Sequence, residues 1–296
     1  MVNRGVPTMP DTHKSSKPLT RVQTLADLRA SIAGLRAKGA RIGFVPTMGA
    51  LHEGHLSLVR EARRLCDKVV VSIFVNPLQF APTEDLDRYP RTESADIALL
   101  QDAGCDLVYL PTPEVLYPKG FVSRLEMQGP ALGLETDFRP QFFSGVATVV
   151  MKLFNQVRPD LAVFGEKDYQ QLAVIRTMVH DFDLDIEIVG HPTVREADGL
   201  ALSSRNAYLT AQERLVAPKL HMLLEHVRDL IRGGEDSGRV IDGASFELIE
   251  AGFDKVDYLA LRDADTLQPI TADSRNGRLL AAVWLGTTRL IDNISV

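Results

Sequence analysis

The chain has 296 residues, with 33 Lys and Arg against 39 Asp and Glu, for a formal net charge of −6. Its 45% hydrophobic and 24% charged content is that of a globular protein and excludes wholesale disorder. The acidic balance argues against a protein that mainly grips a polyanion such as tRNA or DNA, so no nucleic-acid partner is expected, although a local phosphate pocket remains compatible. The length suits one large or two modest domains.

Cys66 and Cys105 lie far apart without a CxxC partner, so neither a disulfide framework nor a zinc knuckle is expected and a reducing cytosol fits. Residues 1–20 are polar, contain proline and lack an apolar h-region, and read as a flexible N-terminal tail. The longest strongly apolar stretch, Val69 to Val75, falls far short of the roughly 20 residues that span a bilayer. A cytoplasmic protein without a membrane partner is expected.

From residue 21 the pattern alternates. Thr24 opens a helix with Leu25, Leu28, Ile32 and Leu35 at helical spacing and Gly39 as a stop. RIGFVPT reads as a buried strand, GHLSLVREARRLC as a helix, and KVVVSIFVNP as a strand rich in β-branched residues. A helix over Glu93 to Ala103 and the strand DLVYLPT follow. After an irregular stretch come a helix near Gly145–Asn155, the strand DLAVFGEKD, the helix YQQLAVIRTMVHDF and the strand IEIVGHP. Apolar strands alternating with helices predict an α/β fold, a Rossmann-like parallel sheet covered on both faces, over residues 21–193. Over residues 194–296 the pattern changes to a helix at 210–233, another from Asp236, and three strands without intervening helices. That predicts a smaller C-terminal α+β lid domain with an antiparallel sheet.

Neither GxxxxGK[ST] nor a GxGxxG after a predicted strand is present, so the commonest phosphate loops are missing. The most informative segment is Pro46-Thr47-Met48-Gly49-Ala50-Leu51-His52-Glu53-Gly54-His55, which joins the first buried strand to a helix. The carboxyl ends of parallel strands are where ligands bind, and a helix N-terminus favours anions. Two imidazoles can donate hydrogen bonds to phosphate oxygens, and Gly54 permits close approach to the backbone. A zinc protease would need HExxH, whose histidines stand four apart; His52 and His55 stand three apart.

Asn76 and Gln79 sit at the tip of the second strand, where they could hold a small polar ligand or serve only the turn around Pro77. After LAVFG come Gly165, Glu166, Lys167 and Asp168, then Gln170 and Gln171. Asp168 is explained by capping the next helix. A lysine at a helix start is not explained by helix stability and suits a phosphate. Ser203, Ser204 and Arg205 place two hydroxyls and a guanidinium fork in an interdomain loop. Each piece alone has a bland reading as turn or surface chemistry; their convergence points to a nucleotide.

PTMGALHEGH resembles the HxGH motif of the nucleotidylyltransferase superfamily, and Ser203-Ser204-Arg205 resembles its KMSKS-type loop. More narrowly, PTMGALHEGH, FVNPLQF, GEKDYQQL, VREADGLALSSRNAYL and LGTTRLIDN resemble the pantoate–β-alanine ligase family, from about Arg21 to the C-terminus. The resemblance implies ATP-dependent condensation of (R)-pantoate with β-alanine through a pantoyl-adenylate, releasing pyrophosphate and then AMP. It implies that His52, His55, Lys167, Ser203, Ser204 and Arg205 neutralise the phosphates, with His55 giving a proton or hydrogen bond to the leaving group. Met48, Gly49, Gly54, Gly165, Asp168, Val194 and Leu202 complete the expected ATP site. Gln79 and Gln171 match the pair that holds pantoate, with Met48 as apolar wall and Asn76 toward β-alanine.

Mg2+ is expected on the ATP phosphates, with no protein ligand assigned and Asp96 only a candidate to be checked, and a homodimer is expected. One departure stands out. Family members often carry histidine where this chain has Phe142, within Arg139-Pro140-Gln141-Phe142-Phe143. The alternatives left open are a nucleotidyltransferase acting on a different small substrate and a non-enzymatic nucleotide sensor.

Overall fold

The central strand-forming runs are apolar along most of their length because both of their faces are covered. In the computed structural model of the protein, residues 18–296 are described, apart from Pro82, Thr83, Asp85, Ala272 and Asp273. Six strands, β1 (Thr20–Val22), β2 (Ile42–Thr47), β3 (Lys68–Ile73), β4 (Leu107–Tyr109), β5 (Leu161–Gly165) and β6 (Glu187–His191), form one parallel sheet in the order β1-β4-β3-β2-β5-β6. The helices are α1 (Leu25–Arg36), α2 (Glu53–Leu65), α3 (Glu93–Asp102), α4 (Pro113–Leu116), α5 (Glu135–Phe138), α6 (Phe142–Val157), α7 (Tyr169–Asp181), α8 (Ala211–Val216), α9 (Lys219–Arg232) and α10 (Ser237–Glu250).

Strand residues alternate between two cores. Phe44, Val70, Tyr109 and Phe164 pack with α1, α6 and α7, while Val45, Val71, Val108 and Val163 pack with α2 and α3. The chain leaves β2 toward β3 on one side and returns from β4 to β5 on the other. The carboxyl ends of β2 and β5 are therefore neighbours at the switch in strand order, where a crevice opens in doubly wound sheets.

The remaining strands, β7 (Lys255–Asp263), β8 (Gly277–Leu285) and β9 (Thr288–Ser295), form an antiparallel sheet in chain order. One face packs on α9 and α10 around Leu220, Leu224, Leu248 and Leu290; Leu280, with the half-buried Tyr258 and Ala260, meets Leu134, Ala173 and Tyr169. The α/β class and the small antiparallel sheet match the sequence reading.

Details differ for physical reasons. Leu19 is buried and Thr20 begins β1, so the packed chain starts before residue 21; residues 1–17 of the expected tail lie outside the described residues. The helix expected near Gly145 begins at Phe142, because Arg139 and Gln141 carbonyls already accept its first amides. The single helix expected over 210–233 is two, with Pro218 between them, since proline lacks the N–H that a helix interior needs.

Candidate active site

The loop after β2 is built by backbone conformation and one buried carboxylate. Gly49 (φ 85°) and Ala50 (φ 51°) turn the chain, and Asp96, 2% exposed, accepts the amides of Ala50 at 3.0 Å and Leu51 at 2.8 Å, and the Thr92 hydroxyl at 3.1 Å. Asp96 is thus consumed in holding the loop, which corrects its candidacy as a metal ligand. Among the described residues no cluster of three His, Cys, Asp or Glu side chains could hold a metal ion.

The two histidines form a reciprocal cap on α2. Gly54 N donates to His52 Nδ1 at 3.2 Å, and His52 N donates to His55 Nδ1 at 3.4 Å. Because each Nδ1 accepts, each ring carries its proton on Nε2, facing away from the cap as a donor. Burial lowers the His55 pKa to about 3, aided by His52 and Lys167, and burial with the Lys167 charge lowers His52 to about 4. In the ligand-free protein both rings are therefore neutral near pH 7 and offer a hydrogen bond from Nε2. A Cβ at Gly54 would sit 2.9 Å from His52 Cε1, so this glycine makes room for the imidazole.

The turn after β3 is equally fixed. Asn76, 1% exposed, donates to Gln79 Oε1 at 3.0 Å and to the Gly145 carbonyl at 3.1 Å, and it accepts from Tyr117 at 2.7 Å and Leu78 N at 3.2 Å. Every hydrogen-bonding position of its amide is used by protein groups, so Asn76 holds Gln79 in place at the edge of the cavity. Gln79 Nε2 lies 3.3 Å from Met48 Sδ. The turn can approach α6 only at Gly145, where a Cβ would overlap the Leu78 carbonyl and lie 2.8 Å from Gln79 N. Phe142 lies beneath the Arg139 guanidinium at 3.8 Å, and Arg139 in turn holds Glu84 at 2.6 Å and the Gln79 carbonyl at 3.2 Å.

After β5 a single 3-10 turn, Glu166–Asp168, presents Lys167, whose Nζ is 3.8 Å from Asp168. Asp168 makes no side-chain cap on α7, so capping does not account for it. The loop 194–205 folds back on itself, with Leu202 N donating to the Val194 carbonyl at 3.0 Å, and Leu202 passes beside Gly54. Ser203 Oγ accepts from Arg205 N at 3.2 Å, Ser204 Oγ meets the Tyr89 hydroxyl at 3.3 Å, and the Arg205 guanidinium is 6.0 Å from the Tyr89 ring centre.

Met48, His55, Asn76, Gln79, Lys167, Asp168, Gln171, Ser203 and Arg205 all line one cavity of about 860 Å3. His52, Gly49, Gly54, Gly165, Val194, Leu202 and Ser204 are not on its wall; His52 stacks behind His55 with ring centres 4.2 Å apart. The wall also carries residues that sequence reasoning missed: Tyr89, Glu135, Arg139, Tyr258 and Arg289. Arg289 donates to both Glu135 oxygens at 2.8 Å and to Asp257 at 2.8 Å, and Tyr258 donates to Glu135 at 2.8 Å. These partners come from distant segments, so no local spacing marks them.

A family sequence profile described as "Pantoate-beta-alanine ligase" matches residues 20–295. The chain is 55% identical to the pantothenate synthetase of Bradyrhizobium sp. over 93% of this chain and 97% of that protein. It superposes on the pantothenate synthetase structure from Thermus thermophilus with a TM-score of 0.88 at 46% identity, covering 93% of this chain and 99% of that one. A pantoate-beta-alanine ligase from Francisella tularensis, complexed with beta-gamma ATP and beta-alanine, gives a TM-score of 0.79 at 34% identity, over 94% of this chain and 97% of that one. Full-length likeness in sequence and in fold has one meaning: the chain belongs to the pantoate–β-alanine ligase family.

Proposed function

We propose that the cavity condenses (R)-pantoate with β-alanine using ATP, through a pantoyl-adenylate, with release of pyrophosphate and then AMP. The observation that carries this reading is the convergence of cationic and neutral donors with two glutamines at the switch between β2 and β5. A carboxylate acylates poorly, so it first attacks the α-phosphorus of ATP, forming a mixed anhydride as the bond to the β-phosphate oxygen breaks. Negative charge gathers on the departing pyrophosphate. Lys167, Arg205 and Ser203, with the Nε2–H of neutral His55, answer it; Ser204 and His52 support Ser203 and His55. Preorganised donors of this kind are worth about 10²–10³-fold each in rate.

Gln79 and Gln171 hold pantoate against the Met48 wall. Gln171 makes no side-chain hydrogen bond among the described residues, so both its donor and acceptor remain for a ligand. Gly49, Gly54, Gly165, Asp168, Val194 and Leu202 shape the surroundings of the adenosine. Residues 21–193 bind ATP and pantoate in this reading, and residues 194–296 cover them. No described carboxylate set fits a resident Mg2+; the ion belongs with substrate ATP, on its phosphate oxygens. The buried, unpaired cysteines suit the cytoplasm. The homodimer rests on the family likeness.

Pantoate-dependent exchange of labelled pyrophosphate into ATP, without β-alanine, tests the reading. Exchange is expected, with AMP and pantothenate appearing once β-alanine is added. A folded protein that binds ATP but neither exchanges label nor forms pantothenate would overturn it.

A further inference from the structure

Lys167 and the Ser203–Arg205 loop belong to different elements, one following β5 and the other following β6. A dipeptide in β9 ties both down. Asp292 and Asn293 are each 3% exposed, and polar side chains so withdrawn from water are costly unless partnered. Successive strand residues project to opposite faces, so this pair reaches two separate elements.

Asn293 Nδ2 donates to the main-chain carbonyls of Glu166 at 2.9 Å and Lys167 at 2.8 Å. Arg278 Nε donates to Asn293 Oδ1 at 2.6 Å; a guanidinium cannot accept, so the amide's NH2 end must face the turn. Arg278 also pairs with Glu166 at 3.2 Å and lies 4.0 Å over the Tyr169 ring. Asp292, on the face shared with Leu290 and Ile294, receives Arg195 in a two-pronged pair at 2.6 and 2.8 Å. Arg195 donates in addition to the Gly199 carbonyl at 3.1 Å and bridges Ala201, clamping the loop just before Ser203.

We propose that Asp292 and Asn293 are positioning residues that set Lys167 against the Ser203–Arg205 loop, so that the small sheet aligns the phosphate-handling groups as well as covering them. The proposal rests on the adenylating reading above. Both residues border the cavity, but both donors of the Asn293 amide and both oxygens of Asp292 are engaged by protein groups, so each side chain acts through the element it holds. Misplacement of a catalytic group by about 1 Å can cost on the order of 10²-fold.

The test is Asn293→Ala, in the wild-type and Lys167→Ala backgrounds, with the two half-reactions measured separately. In the wild-type background, pyrophosphate exchange should fall about 10-fold or more. Attack of β-alanine on the enzyme-bound pantoyl-adenylate should stay within about threefold. In the Lys167→Ala background the same substitution should cost less than about threefold, because the group it positions is gone. Equal fold-losses in the two backgrounds, or a parallel fall in both half-reactions, would overturn the proposal. Should Asn293→Ala fail to fold, Asp292→Asn against Arg205→Ala makes the same comparison from the other side. Absence of exchange in the unsubstituted enzyme would instead remove the adenylating reading, so the two failures are distinguishable.

Discussion

The two sheets use polar side chains in opposite ways. At the tips of the parallel sheet, His55, Gln79, Lys167 and Gln171 keep hydrogen-bonding capacity directed into the cavity, and the surrounding backbone holds them. In the antiparallel sheet, Asp257, Arg278, Asp292 and Asn293 spend theirs on other protein groups, and Arg289 does so through Nε and Nη1, while its buried Nη2 has no partner among the described residues. The strand tips at the switch point border the cavity with capacity to spare; these residues of the antiparallel strands hold other parts of the protein in place. A substitution in the first region should therefore change rate, and in the second should change stability or alignment.

The sharpest way to break that contrast is Arg289→Ala. It strips Glu135 and Asp257 of the buried guanidinium they share, leaving Arg139 and Tyr258 on Glu135 and Lys255 on Asp257, and the loss of such charged hydrogen bonds costs about 1.5–3 kcal/mol. Chemical denaturation should show a stability drop of that size; a change of less than about 1 kcal/mol would erase the distinction. Lys167→Ala probes the other region. Pyrophosphate exchange should fall about 10²-fold or more while the melting temperature moves by only a few degrees. A matching collapse in stability would make Lys167 structural.

The histidine cap gives a pH prediction of definite sign. The folded pKa values, about 3 for His55 and about 4 for His52, lie below the unfolded value of 6.5. The unfolded chain therefore takes up protons first, so the stability these rings contribute is complete above pH 6.5 and declines as pH falls toward their folded values. His55 alone should add a slope of about 1.4 kcal/mol per pH unit to the ligand-free enzyme. Denaturation midpoints between pH 7 and 4.5 should show it, and His55→Gln should flatten the curve.

Gly145→Ala forces a Cβ into the Leu78 carbonyl and should cost about 1–3 kcal/mol. Because Gln79 follows directly, the KM for pantoate should rise more than kcat falls; an unchanged KM would detach this turn from substrate binding. The smallest effect is expected at Phe142→His, which returns the residue often found in the family. Losing the Arg139 stacking should cost under about 1 kcal/mol, and the KM for β-alanine should move by no more than about threefold. A larger gain in activity would mean that this wall contacts β-alanine.

The loop around HEGH was legible because a strand end, two glycines and two histidines within ten residues mark it locally; that the two histidines cap the helix was not read from them. Lys167 was legible for the same reason, as a cation where helix energetics favours an anion. For Asn76 and Asp96, residue type shows what the side chain can bond to and not whether those bonds are already made. Their partners, Tyr117 and Gly145 for Asn76 and the Ala50 and Leu51 amides for Asp96, arrive only on folding. Asp168 was read as a cap from its position and makes none.

The layering of the fold and nine of the residues that line the cavity, from Met48 to Arg205, could be read from the chain alone. Apolar periodicity dictates which faces leave water, and the short segments that carry the chemistry need only local backbone geometry to form. Tertiary structure alone decided which polar groups remain open and which are consumed. Hydrogen bonds such as Asn293 to Lys167, Asp292 to Arg195 and Arg289 to Glu135 join segments distant along the chain. Their pairing depends on where packed sheets place them, and no spacing along the chain records that.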